Sequence, residues 1–73
     1  MKVNEIRSYV LCIDNSGYPE SLEVRKIYAL LPDKKASACD YLRVIDETGE
    51  DYLYPNKYFV PLNLSAEVID ALR

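Results

Sequence analysis

Seven tyrosines and one phenylalanine, with no histidine and no tryptophan, set the chemistry open to this 73-residue chain. Without an imidazole, a serine or cysteine nucleophile has only a lysine or a carboxylate to take its proton. Cys12 lies inside the apolar run Tyr9-Val10-Leu11-Cys12-Ile13, where a free thiol behaves as a small buried hydrophobe. Cys39 sits in a polar connection behind Lys34 and Lys35, whose pull on the thiol is opposed by Asp40. No further thiol or imidazole completes a zinc set, so two free thiols are expected rather than a metal site or a disulfide. Carboxylates gather only at Asp46, Glu47, Glu50 and Asp51, in a turn about half the length of a twelve-residue calcium loop. Exposed as such a turn must be, nothing in it separates two carboxyl pKa values into an acid and a base. Gly17 and Gly49 are isolated, so no phosphate-cradling loop is present. The chain is expected to be no enzyme, with no catalytic residue, no metal and no cofactor.

What remains is recognition. Tyr52, Tyr54, Pro55 and Tyr58 fall within seven residues, and aromatic-lined grooves bind extended protein segments because a preformed ligand loses little entropy on docking. Glu50 and Asp51, just before them, favour a basic ligand end. The bland alternative is sheet packing, since tyrosine suits strands and can bury its ring while its hydroxyl stays wet. Tyr28 and Tyr41 are read in that second way. The candidate peptide-binding residues are therefore Tyr52, Tyr54, Pro55, Tyr58, Glu50 and Asp51.

Charge restricts the partner. Twelve acids against nine bases leave a net charge of −3, and the bases come as scattered pairs with acids close by. A phosphate backbone calls for a basic face that releases counterions, so nucleic acid is disfavoured as a partner. A small nucleic-acid-binding barrel stands as the alternative function, because small barrels bind RNA on a sheet face. No apolar stretch is long enough to span a bilayer, and the run after the charged segment 1–7 is too short for a signal-peptide core, so no membrane association and a cytoplasmic location are expected. Self-association as a homodimer is the other partner expectation.

The elements that must hold these residues are short. With 49% apolar and 29% charged residues and only two glycines and four prolines, the chain reads as one globular domain over residues 1–73. Strands are expected at Tyr9–Ile13, Ile27–Leu31 (ended by Pro32), Tyr41–Ile45, Asp51–Tyr54 and Phe59–Leu62. Residues 14–26 form a long excursion loop tacked down by Tyr18, Leu22 and Val24, and Asp33 to Asp40 has room for one helical turn. Gly49 is placed to take the left-handed conformation in a tight hairpin. Leu53 is expected to face the core, with Tyr52 and Tyr54 on the opposite side of their strand. Pro55-Asn56-Lys57 reads as a single tight helical turn. After Ser65, a serviceable helix cap, Val68, Ile69 and Leu72 form the apolar stripe of a short helix over about 65–72, expected to cap the end of its own barrel.

At Tyr54-Pro55-Asn56-Lys57-Tyr58-Phe59-Val60 the chain resembles the aromatic–proline–turn–tyrosine–aliphatic segment that ends Src-homology-3-like barrels. The acidic hairpin before it is similar to that family's distal hairpin, and the stretch from Leu42 to Pro55 also looks like that of small stand-alone bacterial proteins of unassigned function. The resemblance covers about residues 9–62 and implies a mainly β fold: a small five-stranded barrel with a short C-terminal helix appended. It puts Pro55 and Tyr58 in the proline and tyrosine roles of a peptide groove, with Tyr54 and Phe59 flanking them toward the core. The tryptophan that signalling members carry on that groove is missing, and the first-strand motif is matched only loosely by Tyr9-Val10-Leu11-Cys12-Ile13-Asp14. The function expected is a non-catalytic protein-interaction module that binds a protein segment, or itself, through a tyrosine-rich face.

Overall fold

The structure, a computed structural model, describes residues 8–72; the charged segment 1–7 lies outside the described residues. Its elements run β1 (Ser8–Cys12), β2 (Ile27–Leu31), α1 (Lys34–Ala38), β3 (Tyr41–Ile45), β4 (Asp51–Pro55), a 3-10 turn (Asn56–Tyr58), β5 (Phe59–Leu62) and α2 (Ala66–Leu72). All five strands join one antiparallel sheet in the order β4-β3-β2-β1-β5. β4 and β5 are the outermost strands and do not pair, so the sheet is not closed by hydrogen bonds and the expected barrel is not shown.

The sheet is nevertheless strongly curled. Tyr54 on β4 and Phe59 on β5 stand at opposite edges, yet their ring centroids are 6.3 Å apart. In a flat sheet, four strand spacings would hold those edges about 19 Å apart. The curl wraps one core of Val10, Cys12, Tyr28, Val44, Tyr54, Tyr58 and Phe59, to which every strand contributes. Leu22 from the long loop, 1% exposed, plugs it, and Tyr18, Leu30 and Leu42 pack against its margin. Val24, expected as a third anchor of that loop, is exposed; the loop docks through Leu22 and Tyr18 alone among the three.

The polarity of β4 is the reverse of the sequence expectation. Tyr54 is 1% exposed and central, whereas Leu53, half-buried, pairs with Arg43 on the other face. Strand alternation fixes that Tyr52 and Tyr54 share a side but not which side is inward. The side that wins is the one whose hydroxyls find partners, as described below. The expectation that the turn carboxylates are exposed fails at Asp46, which is buried.

Hydrogen-bond parity shows what the two edges offer. Asp46 N–H donates to the Glu50 carbonyl and Asn56 N–H to the Asp40 carbonyl, at 3.1 and 2.9 Å. Bonded pairs recur every second residue, so Tyr52 and Tyr54 bond to β3, while the backbone groups of Leu53 and the carbonyl of Pro55 point away from it. Ile13 N–H donates to the Tyr58 carbonyl at 2.8 Å, which by the same count turns Phe59 and Pro61 away from β1. Pro55 and Pro61 therefore both sit where an outward N–H would otherwise be.

Two short helices complete the chain. Asp33 caps α1, its Oδ1 accepting from the Ala36 N–H at 2.9 Å. Ser65 caps α2, its Oγ accepting from Val68 N–H at 3.3 Å. α2 has no buried residue: Ile69 is half-buried, and Val68 and Leu72 are exposed. The expected capping of the core by this helix is not seen among the described residues. Gly49 takes φ +84°, as its place in the β3–β4 hairpin requires. Both cysteines are free, Cys12 buried and Cys39 exposed.

Candidate binding face

The long loop between β1 and β2 is built as a rigid wall. Asp14 Oδ1 accepts from both the N–H and the hydroxyl of Ser16, at 2.9 and 2.6 Å, which turns the chain sharply. The Ser16 carbonyl then accepts from the Tyr58 hydroxyl at 2.6 Å, and Asn15 Nδ2 donates to the Leu22 carbonyl at 3.0 Å. Further along, Glu23 N–H donates to the Tyr28 oxygen at 2.7 Å, and the Tyr28 hydroxyl donates to Glu47 Oε2 at 2.6 Å. Lys26 Nζ lies 2.5 Å from the same carboxylate oxygen, and Glu47 N–H donates to the Ser21 carbonyl at 3.0 Å. Loop and hairpin are thus stitched together from both ends.

Behind the stitching lies a tyrosine cluster. The Tyr18 ring meets Tyr54 edge-on at 4.9 Å between centroids, with Tyr58 at 6.1 Å and Tyr52 at 6.4 Å. Tyr52 and Tyr54 are themselves 5.2 Å apart. Edge-to-face pairs of this kind add about 0.5–1.5 kcal/mol each beyond the area they bury. Tyr54 donates to Asp46 Oδ2 at 2.5 Å, and Asp46 Oδ1 accepts from the N–H and hydroxyl of Thr48 at 2.9 and 2.6 Å. Burial pushes the Asp46 carboxyl up, but the bonds from Thr48 and Tyr54 outweigh it and hold the group below its ordinary value. Among the described residues no buried side-chain oxygen or nitrogen lacks a partner.

The same environment acts on the phenols. Burial first, then its bond to Glu47, raises Tyr28 well above the ordinary tyrosine range. Burial and the Asp46 bond push Tyr54 up to about 12. An unfolded tyrosine ionises near pH 10, so between about pH 10 and 12 the folded chain keeps protons that the unfolded chain has released. Stability is expected to be unaffected by these groups below that window and to fall as pH rises through it. Urea unfolding at stepped pH, with phenolate absorbance followed in parallel, measures this. Seven tyrosines titrating together near pH 10 with the fold intact would contradict the assignment, and Tyr54→Phe should remove part of the loss.

Of the residues singled out in the sequence, the structure brings together some and separates others. Tyr52 is 55% exposed, the most open large apolar side chain among those described. Glu50 is exposed beside it, and Asp51, half-buried, accepts from Arg43 Nη1 at 2.9 Å. Tyr54 and Tyr58 are core residues, with Tyr54 reaching the surface only at the floor of a recess, and Pro55 is half-buried at the end of β4. Two concavities adjoin. One, of about 830 Å³, runs across the edge of β4, because Tyr52 and Leu53, on opposite faces of that strand, both line it. Tyr18 and Tyr52 form one wall, and Ala36, Cys39 and Tyr41 help form the other. Arg43 lies in it, held between Asp33 Oδ2 at 2.8 Å and Asp51. The second, of about 380 Å³, lies between the loop and the β3–β4 hairpin and shares Tyr18, Asp51 and Tyr52 with the first.

Tyr18, Tyr41 and Arg43 were missed as site residues in the sequence. For Tyr18 the signal was there, since a large ring in an otherwise polar loop must dock somewhere; for Arg43 nothing separates it from a solvated charge. Among the described residues no group of His, Cys, Asp or Glu could hold a metal ion, and no helix is long and apolar enough to cross a membrane. The chain matches no protein-family model, no curated protein and no solved structure.

Proposed function

We propose that the protein is a non-catalytic interaction module that receives an extended protein segment against the tyrosine face beside β4. The observation that carries this reading is Tyr52: a large ring left more than half exposed on an outer strand, with Tyr18 beside it and a groove on each side. Aromatic side chains with a wet hydroxyl are the groups most enriched where proteins meet. The outward backbone of Leu53 supplies main-chain hydrogen bonds to a segment lying along β4, while the flanking pockets receive its alternate side chains. The strand order β4-β3-β2-β1-β5 and the 3-10 turn before β5 support a Src-homology-3-like origin for the scaffold. Its proline-groove residues are placed differently here, with Tyr58 turned in to bond Ser16. The nucleic-acid alternative gains no support from the site, whose smaller recess is lined by carboxylates.

The test is selection of peptides from a random display library on the immobilised chain, followed by titration of the isotope-labelled protein with those selected. Amide shifts are expected at Tyr18, Tyr41, Tyr52 and Leu53, and Tyr52→Ala should weaken binding about tenfold, as for an exposed aromatic anchor. Selected peptides that leave these amides unmoved would overturn the reading.

A further inference from the structure

The two edges of the sheet are not equivalent. On β5, Phe59 and Pro61 face outward, but the Phe59 N–H already donates to the Asn56 carbonyl and Pro61 has none to give. On β4 the outward N–H and carbonyl of Leu53 stand together, and the concavity of about 830 Å³ across this edge leaves them uncovered by any described element. Charge is graded along the same strand. Glu50 and Asp51 lie at its start and Lys57 just beyond its end. Glu50 and Lys57 are both exposed, and no ion pair among the described residues engages either.

We infer that β4 pairs with β4 of a second copy, antiparallel about a two-fold axis at Leu53, and that this dimer closes the tyrosine face to other segments. With Leu53 opposite itself, the two residues exchange both N–H···O=C bonds, as in the hydrogen-bonded pair of an antiparallel ladder. The axis sets Pro55 across from the partner's Asp51, so the donor that proline lacks is missing only at the ends. A register shifted to put Leu53 against the partner's Pro55 would lose a central bond instead. Charge complementarity selects the same arrangement, because the acidic start of each strand comes beside the partner's Lys57, twice over. Cover falls on Tyr52, the ring left most exposed. Since β5 offers no outward donor, association ends at two copies. Five residues of strand reach only about 17 Å, little beside the roughly 800 Å² per partner of a stable complex. The dimer is therefore weak, and a segment bound along β4 displaces it, because both need the Leu53 backbone. The pairing rests on the edge geometry alone; its regulation of binding rests on the interaction-module reading.

Sedimentation of the full chain at low salt, from about 10 μM to 1 mM, covers the range of a weak contact. The mass is expected to rise from that of one chain toward that of two, with concentration-dependent amide shifts at Tyr52 and Leu53 and none on β5. Glu50→Lys and Lys57→Glu should each weaken association about fivefold, and the double variant should recover it. Leu53→Pro removes the central donor at an outward edge position and should abolish association. If that variant loses its folded spectrum, the charge exchange decides alone. A single-chain mass throughout, or charge variants without mutual rescue, overturns the pairing. Library-selected peptides should return the mass to one chain with its peptide, and peptides that bind an intact dimer overturn the regulation. A permanent monomer that still binds them sinks the pairing and leaves the module; a dimer for which no peptide is selected sinks the module and leaves the pairing.

Discussion

Tyr54→Ala is expected to destabilise the fold by about 3–5 kcal/mol, the usual cost of removing a fully buried aromatic ring. The residue is 1% exposed, touches Tyr18, Tyr52 and Phe59 through ring contacts, and is the donor to a buried carboxylate. Removing it opens the core at the point where the two edges of the sheet come together. A single core in a domain this small supplies roughly 3–5 kcal/mol, so the variant should be substantially unfolded even without denaturant. Tyr54→Phe separates the two contributions. It keeps the ring but leaves Asp46 Oδ2 without its donor, at about 1–3 kcal/mol. Tyr52→Ala, one pleat away on an exposed position, should stay within about 0.5 kcal/mol. Urea midpoints of the three variants decide the matter, and a Tyr54→Ala protein as stable as the parent would contradict the packing described.

Leu22→Ala is expected to cost about 2–5 kcal/mol, although the residue lies in a loop. Leu22 is 1% exposed within the core, and its carbonyl accepts from Asn15 across the loop. Alanine keeps that carbonyl, and the Leu22 N–H that donates to the Tyr18 carbonyl, but it leaves a cavity and removes the apolar anchor that holds the Tyr18 segment to the core. Two readouts should move together: the urea midpoint, and the Tyr18 amide, which should broaden or shift while β2 and β3 amides keep their positions. Retained stability with an unchanged Tyr18 would mean the loop is held by its hydrogen bonds alone.

The element boundaries were largely legible in the sequence because strong punctuation sets them. Pro32 closes β2, Asp33 caps α1, Gly49 shapes the hairpin and Pro55 leads into the 3-10 turn, so β2, β3 and β5 lie where the pattern placed them. The inward face of β4 was not legible from strand alternation and hydrophobicity; only the resemblance at Tyr54-Pro55 put Tyr54 toward the core. A leucine between two tyrosines looks like the core residue on hydrophobicity alone. What reverses the choice is long-range: Asp46 and Ser16 supply partners for the Tyr54 and Tyr58 hydroxyls, and a tyrosine with a satisfied hydroxyl buries as well as phenylalanine. Those partners lie eight and 42 residues away in the chain, beyond any local period. The same blindness hid Asp46, which reads as one more solvated turn acid until its neighbours fold over it. The candidate site inherits both errors. Glu50 and Tyr52 are exposed and Asp51 half-buried beside them, whereas Tyr54 and Tyr58 belong to the core.

Pro55 and Pro61 have a bearing on how copies of this molecule behave when crowded. A sheet with two unpaired flanks is a template on which further copies can stack into fibres. Here each flank lacks a main-chain donor at an outward position, so an incoming strand meets a gap in the ladder after one or two residues. Stacking is interrupted from either side, and on β4 only the stretch around Leu53 keeps an outward donor and acceptor together.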